Sequence, residues 1–572
     1  MTDAPGSERR PRGENPDARP IIRCTPEIHT MRDAAIAAIA AGPCEIYQRG
    51  AELTRIVRAT GADRPVVRGP ADPEDPWRNC RRPGSPFVRA LELATIKPIL
   101  SASARWERWN PKAEEWRHSK PDNDAAAALL REGSWAGVRW LEGIIEAPAL
   151  RPDGTIIESE GYDDRTGYVL VPGDSFVPVA DLPTRGDAQR ALAELLHPLL
   201  DFPHVGEPDA RGACGPARSA WLAALLTLLA RPAIEGSIPA WVFDASTRGS
   251  GKSLQADALT IIATGRAASR MNWPNEDDEL EKILGSFALG GDPLICFDNI
   301  VRSFGGGPLD RCLTAVDTVQ LRVLGRSQVP TLPWRAIVMA TGNNVELKGD
   351  TSRRALIVRL ESLDEHPEDR TSFRIPGGAA ALRAWCVQHR PRLVRAALTI
   401  LRAWFVAGRP REGTRTWGSF EGWAAIIPPA LVWAGAADPL DARPTVSGIE
   451  DLDKAALRVV IDSWPRLEAL VEGSPGTPPS GRGITLRKAL DQLYRDHAAR
   501  LKADAPPDGF DDLREALEEM VPPKGSPVPC TRKIGIAFRD HRLRVIDGRR
   551  LEPVKSDKGA GQGSARWRVV SI

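Results

Sequence analysis

The sequence predicts an α/β protein of several domains built around a parallel-sheet core, and three observations carry that expectation. Between Ala217 and about Ser362, short apolar strand-like runs alternate with helical ones, the pattern of a parallel sheet with crossover helices. One of those strands, Ala240–Phe243, leads directly into a glycine- and serine-rich turn that ends in Gly251-Lys252-Ser253 and opens a helical stretch, Leu254–Thr264. The chain has 572 residues, and at roughly 150 residues per domain it has room for three or four.

The elements follow in order. Residues 1–20 are rich in Pro, Gly and charge and read as a disordered leader without the apolar stretch of a signal peptide. From 21 to 205 helical and strand-like patches mix, which predicts an N-terminal α+β domain. Met31–Ala41 and Ala188–Leu200 are its clearest helices, and Pro152–Ile157 and Gly161–Gly167 carry strand and turn signals. Trp106, Trp109, Trp116, Trp135 and Trp140 cluster there and read as a tryptophan-rich core. The α/β core occupies 206–364, a helical extension 365–472, a Gly/Pro/Ser linker 473–483, and a basic module 484–572.

Composition excludes several classes. With 42% hydrophobic residues and a formal net charge of +2, the chain is neither wholly disordered nor globally basic. Its eight cysteines form no C-x-x-C pair and its eight histidines no HExxH, so Cys/His metal chemistry is not expected. No apolar run is long enough to span a membrane, and the expected location is cytoplasmic.

The segment Asp244–Ser253 carries the strongest chemistry. A phosphate-cradling loop needs small residues whose backbone N–H groups turn inward, a Lys for the β- and γ-phosphates, and a hydroxyl for Mg²⁺ at a helix N-terminus. Gly249, Ser250, Gly251, Lys252 and Ser253 supply these parts, with Ser246 standing where the strict pattern has its first Gly. Downstream, Pro293-Leu-Ile-Cys-Phe-Asp298 is an apolar strand ending in an acid that can hold Mg²⁺, and Asn299 follows it. A further strand, Arg335–Ala340, ends in Thr341-Gly-Asn343-Asn344, and Gly349-Asp-Thr-Ser-Arg353-Arg354 comes next. ATP with Mg²⁺ is the expected cofactor.

This order of motifs resembles the superfamily 3 helicase branch of the AAA+ ATPases, and more closely the helicase halves of primase–helicase proteins of phages, plasmids and integrated elements. The resemblance implies an AAA+ core and assigns roles. Lys252 and Ser253 would bind phosphate and Mg²⁺, and Asp298 would support the metal. Asn343 would be the sensor, with Asn344 as its substitute, and Arg353 or Arg354 would reach a neighbour's γ-phosphate as an arginine finger. It also implies a homo-oligomeric ring, a hexamer, acting on single-stranded or forked DNA beside a separate primase. Many AAA+ proteins carry Glu where this chain has Asn299; Asn orients water but cannot accept its proton.

Nucleic-acid contacts are expected in two places. Between Cys530 and Ile572 eleven Lys/Arg stand against four Asp/Glu, including Arg532, Lys533, Arg539, Arg542, Arg566 and Arg568. A helix over Thr531–His541 followed by strands at Leu543–Ile546, Arg549–Glu552 and Arg566–Val570 predicts a winged-helix-like domain that neutralises phosphates. Within the core, the resemblance places pore-loop cations between Leu321 and Trp334, where Arg322 and Arg326 are the candidates. The main expectation is an ATP-dependent DNA helicase or translocase. The rival is a nucleotide-switched DNA-binding or loader protein without processive unwinding, and a small-molecule P-loop kinase is the third reading.

Overall fold

The computed structural model describes residues 18–60, 80–207, 214–247, 249–301, 303–322, 330–362, 367, 373–375, 377–411, 413–444, 452–473, 481–495, 509–523, 528–540, 546–554 and 565–571. The expected leader, apart from 18–20, and most of the expected linker lie outside them. The chain forms two compact units, 1–444 and 445–572.

The first unit begins with β1 (Ile21–Cys24), α1 (Ile28–Ala41), β2 (Tyr47–Arg49), β3 (Glu52–Arg58), β4 (Pro86–Ala90), α2 (Leu93–Ser103), β5 (Arg105–Asn110), β6 (Glu115–His118) and α3 (Asn123–Leu130). The sheet β1–β5–β6 rests on the three helices through Ile22, Trp106, Ala35, Leu100 and Leu129. Asp122 starts α3 by accepting from the Asp124 and Ala125 amides, a side-chain cap for otherwise orphaned donors. The expected tryptophan core holds only in part. Trp106 and Trp135 are buried, but Trp109 and Trp140 are exposed; Trp106 and Trp109 part because residues of opposite parity along β5 face opposite sides of the sheet.

Six short strands follow: β7 (Arg139–Trp140), β8 (Gly143–Ile145), β9 (Ala149–Leu150), β10 (Ile156–Ile157), β11 (Gly161–Tyr162) and β12 (Tyr168–Leu170). They lead into α4 (Arg185–Leu196), which Thr184 and Asp187 open as a reciprocal capping box. The N-terminal segment is fastened to the core by cations. Buried Arg49 donates to the carbonyls of Glu142, Ala288 and Pro333, Arg81 to Asp292, and Arg266 to Glu146. Residues 21–205 and the α/β core therefore belong to one compact unit.

The core comprises α5 (Pro216–Ala230), β13 (Ala240–Ala245), α6 (Lys252–Thr264), β14 (Arg270–Met271), α7 (Asp277–Gly290), β15 (Leu294–Ile300), α8 (Gly307–Leu313), β16 (Thr318–Gln320), β17 (Thr331–Pro333), β18 (Ile337–Asn343) and β19 (Ala355–Leu360). Helix α5 is buried on nearly every side, which explains its run of Leu and Ala without a polar stripe. Three acids, Asp277, Asp278 and Glu279, occupy the first turn of α7, where its dipole favours negative charge. Five strands form one sheet in the order β14–β15–β18–β13–β19, with every pair parallel. Strands apolar on both faces suit a sheet covered by helices on both sides. The unit closes with α9 (Gly378–Val406), α10 (Glu421–Ala424) and α11 (Ile427–Ala434), packed into the same hydrophobic core.

The second unit contains α12 (Leu452–Val471), β20 (Ile484–Thr485), α13 (Leu486–Leu493), α14 (Asp511–Met520), α15 (Thr531–Asp540), β21 (Arg549–Val554) and β22 (Arg566–Ser571). Its antiparallel sheet runs β20–β22–β21. Helix α12, expected to end the helical extension, instead supplies this unit's core. Leu457, Ile461 and Trp464 pack with Ile534, Phe538 and Trp567, and the Trp464 indole donates to the Trp567 carbonyl at 3.0 Å. The unit boundary accordingly precedes the glycine-rich segment, since an apolar helix face goes with the core that buries it. No helix among the described residues is long and apolar enough to cross a membrane.

Candidate nucleotide site

The carboxyl ends of β13, β15 and β18 meet at one edge of the sheet. Open parallel sheets bind ligands outside these ends, where consecutive strands part to opposite sides. Here β18 lies between β13 and β15, so its end is flanked by both the loop after β13 and the acid on β15.

Strand β13 delivers the loop to Gly251, the residue before α6, whose φ of +93° L side chains rarely adopt. A Cβ there would also stand 2.6 Å from the Phe202 ring, so glycine is required twice over. The loop is braced by its own hydroxyls: Thr247 and Ser250 share a hydrogen bond at 2.8 Å, and Ser250 Oγ also donates to the Thr247 carbonyl. Lys252 Nζ donates to that carbonyl at 3.1 Å. Burial holds the Lys252 ammonium below its ordinary value, against the opposing pull of Asp244 and Asp298.

Ser253 Oγ donates to Asp298 Oδ1 at 2.9 Å, and Thr341 Oγ1 donates to the same oxygen at 2.6 Å. Asp298 is buried. A buried carboxylate with two aligned hydroxyls is a hard-oxygen donor set, the chemistry Mg²⁺ takes with one or two protein ligands. Ser253 and Asp298 would hold the ion, which would neutralise charge on the β- and γ-phosphates.

Asn299 lies at a register shift between β15 and β18, with φ of +60° and its side chain exposed. Its amide donates to Thr341 Oγ1 at 3.0 Å. The two sensor candidates separate clearly. Asn343 pairs in register with Ala245, the last residue of β13, and its buried Oδ1 has no hydrogen-bond partner. Asn344 is tied down: its amide donates to the Ala245 carbonyl, and its Oδ1 accepts from Arg359 at 3.1 Å. Arg359 also donates to Asp244, whose other oxygen accepts the Val345 amide at 3.0 Å. Sequence reasoning missed Thr341, Asp244 and Arg359. Their signal was a polar residue inside or ending an otherwise apolar strand.

A cavity of about 480 Å³ adjoins the loop, lined by Gly249–Ser253 together with Phe202, Leu254, Phe373, Ile375 and Leu382. Behind it His204 contacts Gln255 of α6, and burial, with Arg218 nearby, pushes its imidazole down to about 3, leaving it neutral. Ser246 sits at the bend that leaves β13.

The arginine pair differs in setting. Arg354 is 14% exposed and bonds Asp310 at 2.8 Å and Asp350 at 3.2 Å, whereas Arg353 is 65% exposed and bonds Asp350 at 2.9 Å. Between β15 and β18, β16 and β17 form an antiparallel hairpin; Arg322 is exposed just beyond β16, and Arg326 lies outside the described residues. In the second unit Arg532, Lys533, Arg539 and Arg566 are exposed, Arg568 is engaged by Glu552 at 2.8 Å, and Arg542 lies outside the described residues, as does the expected strand Leu543–Ile546 apart from Ile546.

Neither a family model nor a curated protein matches the sequence. Among solved structures, the A form apo structure of the NrS-1 C-terminal region is similar at 13% identity and a TM-score of 0.27, over 71% of this chain and 92% of that one. The X-ray structure of JCV helicase is similar at 15% identity and a TM-score of 0.20, over 51% of this chain and 66% of that one. Both overlaps are loose, and the site stands on its own residues.

Proposed function

We propose that the chain is an ATP-hydrolysing, AAA+-type motor acting on single-stranded or forked DNA, a superfamily 3-like helicase or translocase of a mobile-element or phage-type replication system. The observation that carries this reading is the meeting of Ser253 and Thr341 on one oxygen of Asp298, at the ends of neighbouring parallel strands and beside the Lys252 loop. Loop amides and Lys252 would bind the phosphates, and the apolar wall of Phe202, Ile375 and Leu382 would take the base. Asn343, with its unpaired buried oxygen, would orient the attacking water. Arg353, free enough to reach outward, would act as the finger in a neighbouring protomer's site, which requires a ring.

The second unit's order supports a DNA-holding role. Helix, strand, helices and two further strands, with the first strand paired to the last, suit the proposed winged-helix-like domain. It leaves Arg532, Lys533 and Arg539 exposed while Ile534 and Phe538 are buried. Arg322, exposed just beyond β16, is a proposed pore cation, and the sequence alone adds Arg326.

A second reading, a nucleotide-switched loader, is favoured by Asn299, which cannot take a proton and whose side chain is exposed beyond Asp298. Strand displacement on a forked DNA, with mass measurement of the native assembly in ATP, decides between them. ATP-dependent unwinding by an oligomer supports the motor; tight ATP and DNA binding without displacement supports the loader.

A further inference from the structure

The face of the N-terminal sheet turned away from its helices presents a second, unrelated chemistry. Strand β5 lies between β1, paired in parallel, and β6, paired antiparallel. Alternation sends Trp106 into the helical core and leaves Arg105, Glu107 and Trp109 on the opposite face. Trp116 stands directly across from Trp109 in register, and the two rings meet edge to face with centroids 5.6 Å apart. Trp109 is 45% exposed. Arg23 of β1 lies over the Trp116 ring at 4.9 Å.

Glu107 is an acid on this face, and it is buried beneath two guanidinium groups, Arg105 at 3.0 Å and Arg23 at 3.6 Å. The carboxylate thus fixes Arg23 beside the Trp116 indole and Arg105 farther along β5, and is itself withdrawn from solvent. His118, across from Glu107, adds a further exposed nitrogen base. Three strands span about 10 Å from first to last, the width of one or two nucleotides.

We infer that this face is a stacking platform for single-stranded nucleic acid, with bases on Trp109 and Trp116 and phosphates on Arg23 and Arg105. Exposed aromatic rings bind any base through its π-face, and adjacent cations follow the backbone. The charge argues for this occupant: two guanidinium groups, one of them over the Trp116 ring, stand on this face against one buried carboxylate. An apolar protein partner would instead bury two guanidinium groups that share a single carboxylate.

The inference stands apart from the proposed motor, because it requires neither ATP nor Lys252. The test is fluorescence anisotropy of a labelled oligothymidylate, with an oligouridylate in parallel, titrated into the full chain without nucleotide. W109A/W116A should weaken binding about 10-fold or more, and W109F/W116F, which keeps aromatic faces, should restore most of it. The thermal melt of each variant checks that the sheet is intact. An R532A/K533A variant reports the C-terminal module separately and leaves the tryptophan effect in place. No binding by the unsubstituted chain, or equal affinity for W109A/W116A, would overturn the assignment; preference for one oligonucleotide identifies which nucleic acid the platform takes.

Discussion

The Ser253 hydroxyl donates to Asp298 at 2.9 Å, joining the first turn of α6 to the end of β15. The two residues lie in separate sequence motifs, and only the sheet order brings them together. Asp298→Asn keeps the shape but removes the charge that a divalent cation requires. The variant should fold, bind nucleotide weakly, and lose about 10²-fold or more of Mg²⁺-dependent turnover, since metal stabilisation of phosphoryl charge is worth several kcal/mol. A Mg²⁺ titration of ATPase rate checks this. Turnover equal to the parent chain's would remove Asp298 from the site.

The two neighbouring arginines should part company. Arg353→Ala removes an exposed side chain and should leave the melting temperature unchanged while lowering turnover by about 10³–10⁵. Arg354→Ala leaves partly buried Asp310 with the Thr351 hydroxyl but without its cation, and should cost about 1–3 kcal/mol of stability. Mixing Arg353→Ala with Lys252→Ala protein should restore part of the rate if the finger works across an interface. Thermal melts and mixed-assembly rates read the two effects apart.

Arg359 holds both Asp244 and Asn344, and through them the loop carrying Asn343. Arg359→Ala should lower kcat with little change in KM, because it loosens the proposed sensor Asn343 and not the proposed phosphate-binding loop. Arg359→Lys keeps the charge but not the two-pronged geometry and should recover only part of the loss. Steady-state kinetics at saturating Mg²⁺ measure it; a rise in KM alone would contradict the positioning role.

Nucleotide affinity should fall at alkaline pH earlier than an ordinary lysine predicts. Phosphate binding needs Lys252 protonated, and burial lowers its pKa in the free protein. Affinity is therefore full below that lowered pKa and declines as pH rises through it. Lys252→Arg, which stays cationic, should bind more weakly near neutrality yet keep its affinity flat over the same range. Equilibrium titration with a fluorescent ATP analogue across pH is the check.

Much of this site was legible in the sequence because its parts sit at strand ends. Apolar runs stopping at Asp298 and Asn343 announced both the sheet and the edge where chemistry gathers. What could not be read was the lateral order of the strands. That order places Asn343 beside Ala245 and frees its oxygen while Asn344 is bound, a distinction two adjacent asparagines do not reveal. Thr341 was hidden for the same reason, since its partner is set by pairing of β15 with β18. In the second unit the pattern of α12 showed a helix but not its owner, because an apolar stripe does not say which core it covers. The tryptophans misled in a similar way: Trp106 and Trp109 differ only in the parity of their position along β5.

The central claim is tested most directly by ATP turnover with and without single-stranded DNA, in the parent chain and in Lys252→Ala. The account predicts Mg²⁺-dependent hydrolysis that DNA accelerates and that Lys252→Ala abolishes. Hydrolysis that persists undiminished in Lys252→Ala, or ATP binding whose turnover DNA leaves untouched, would contradict it.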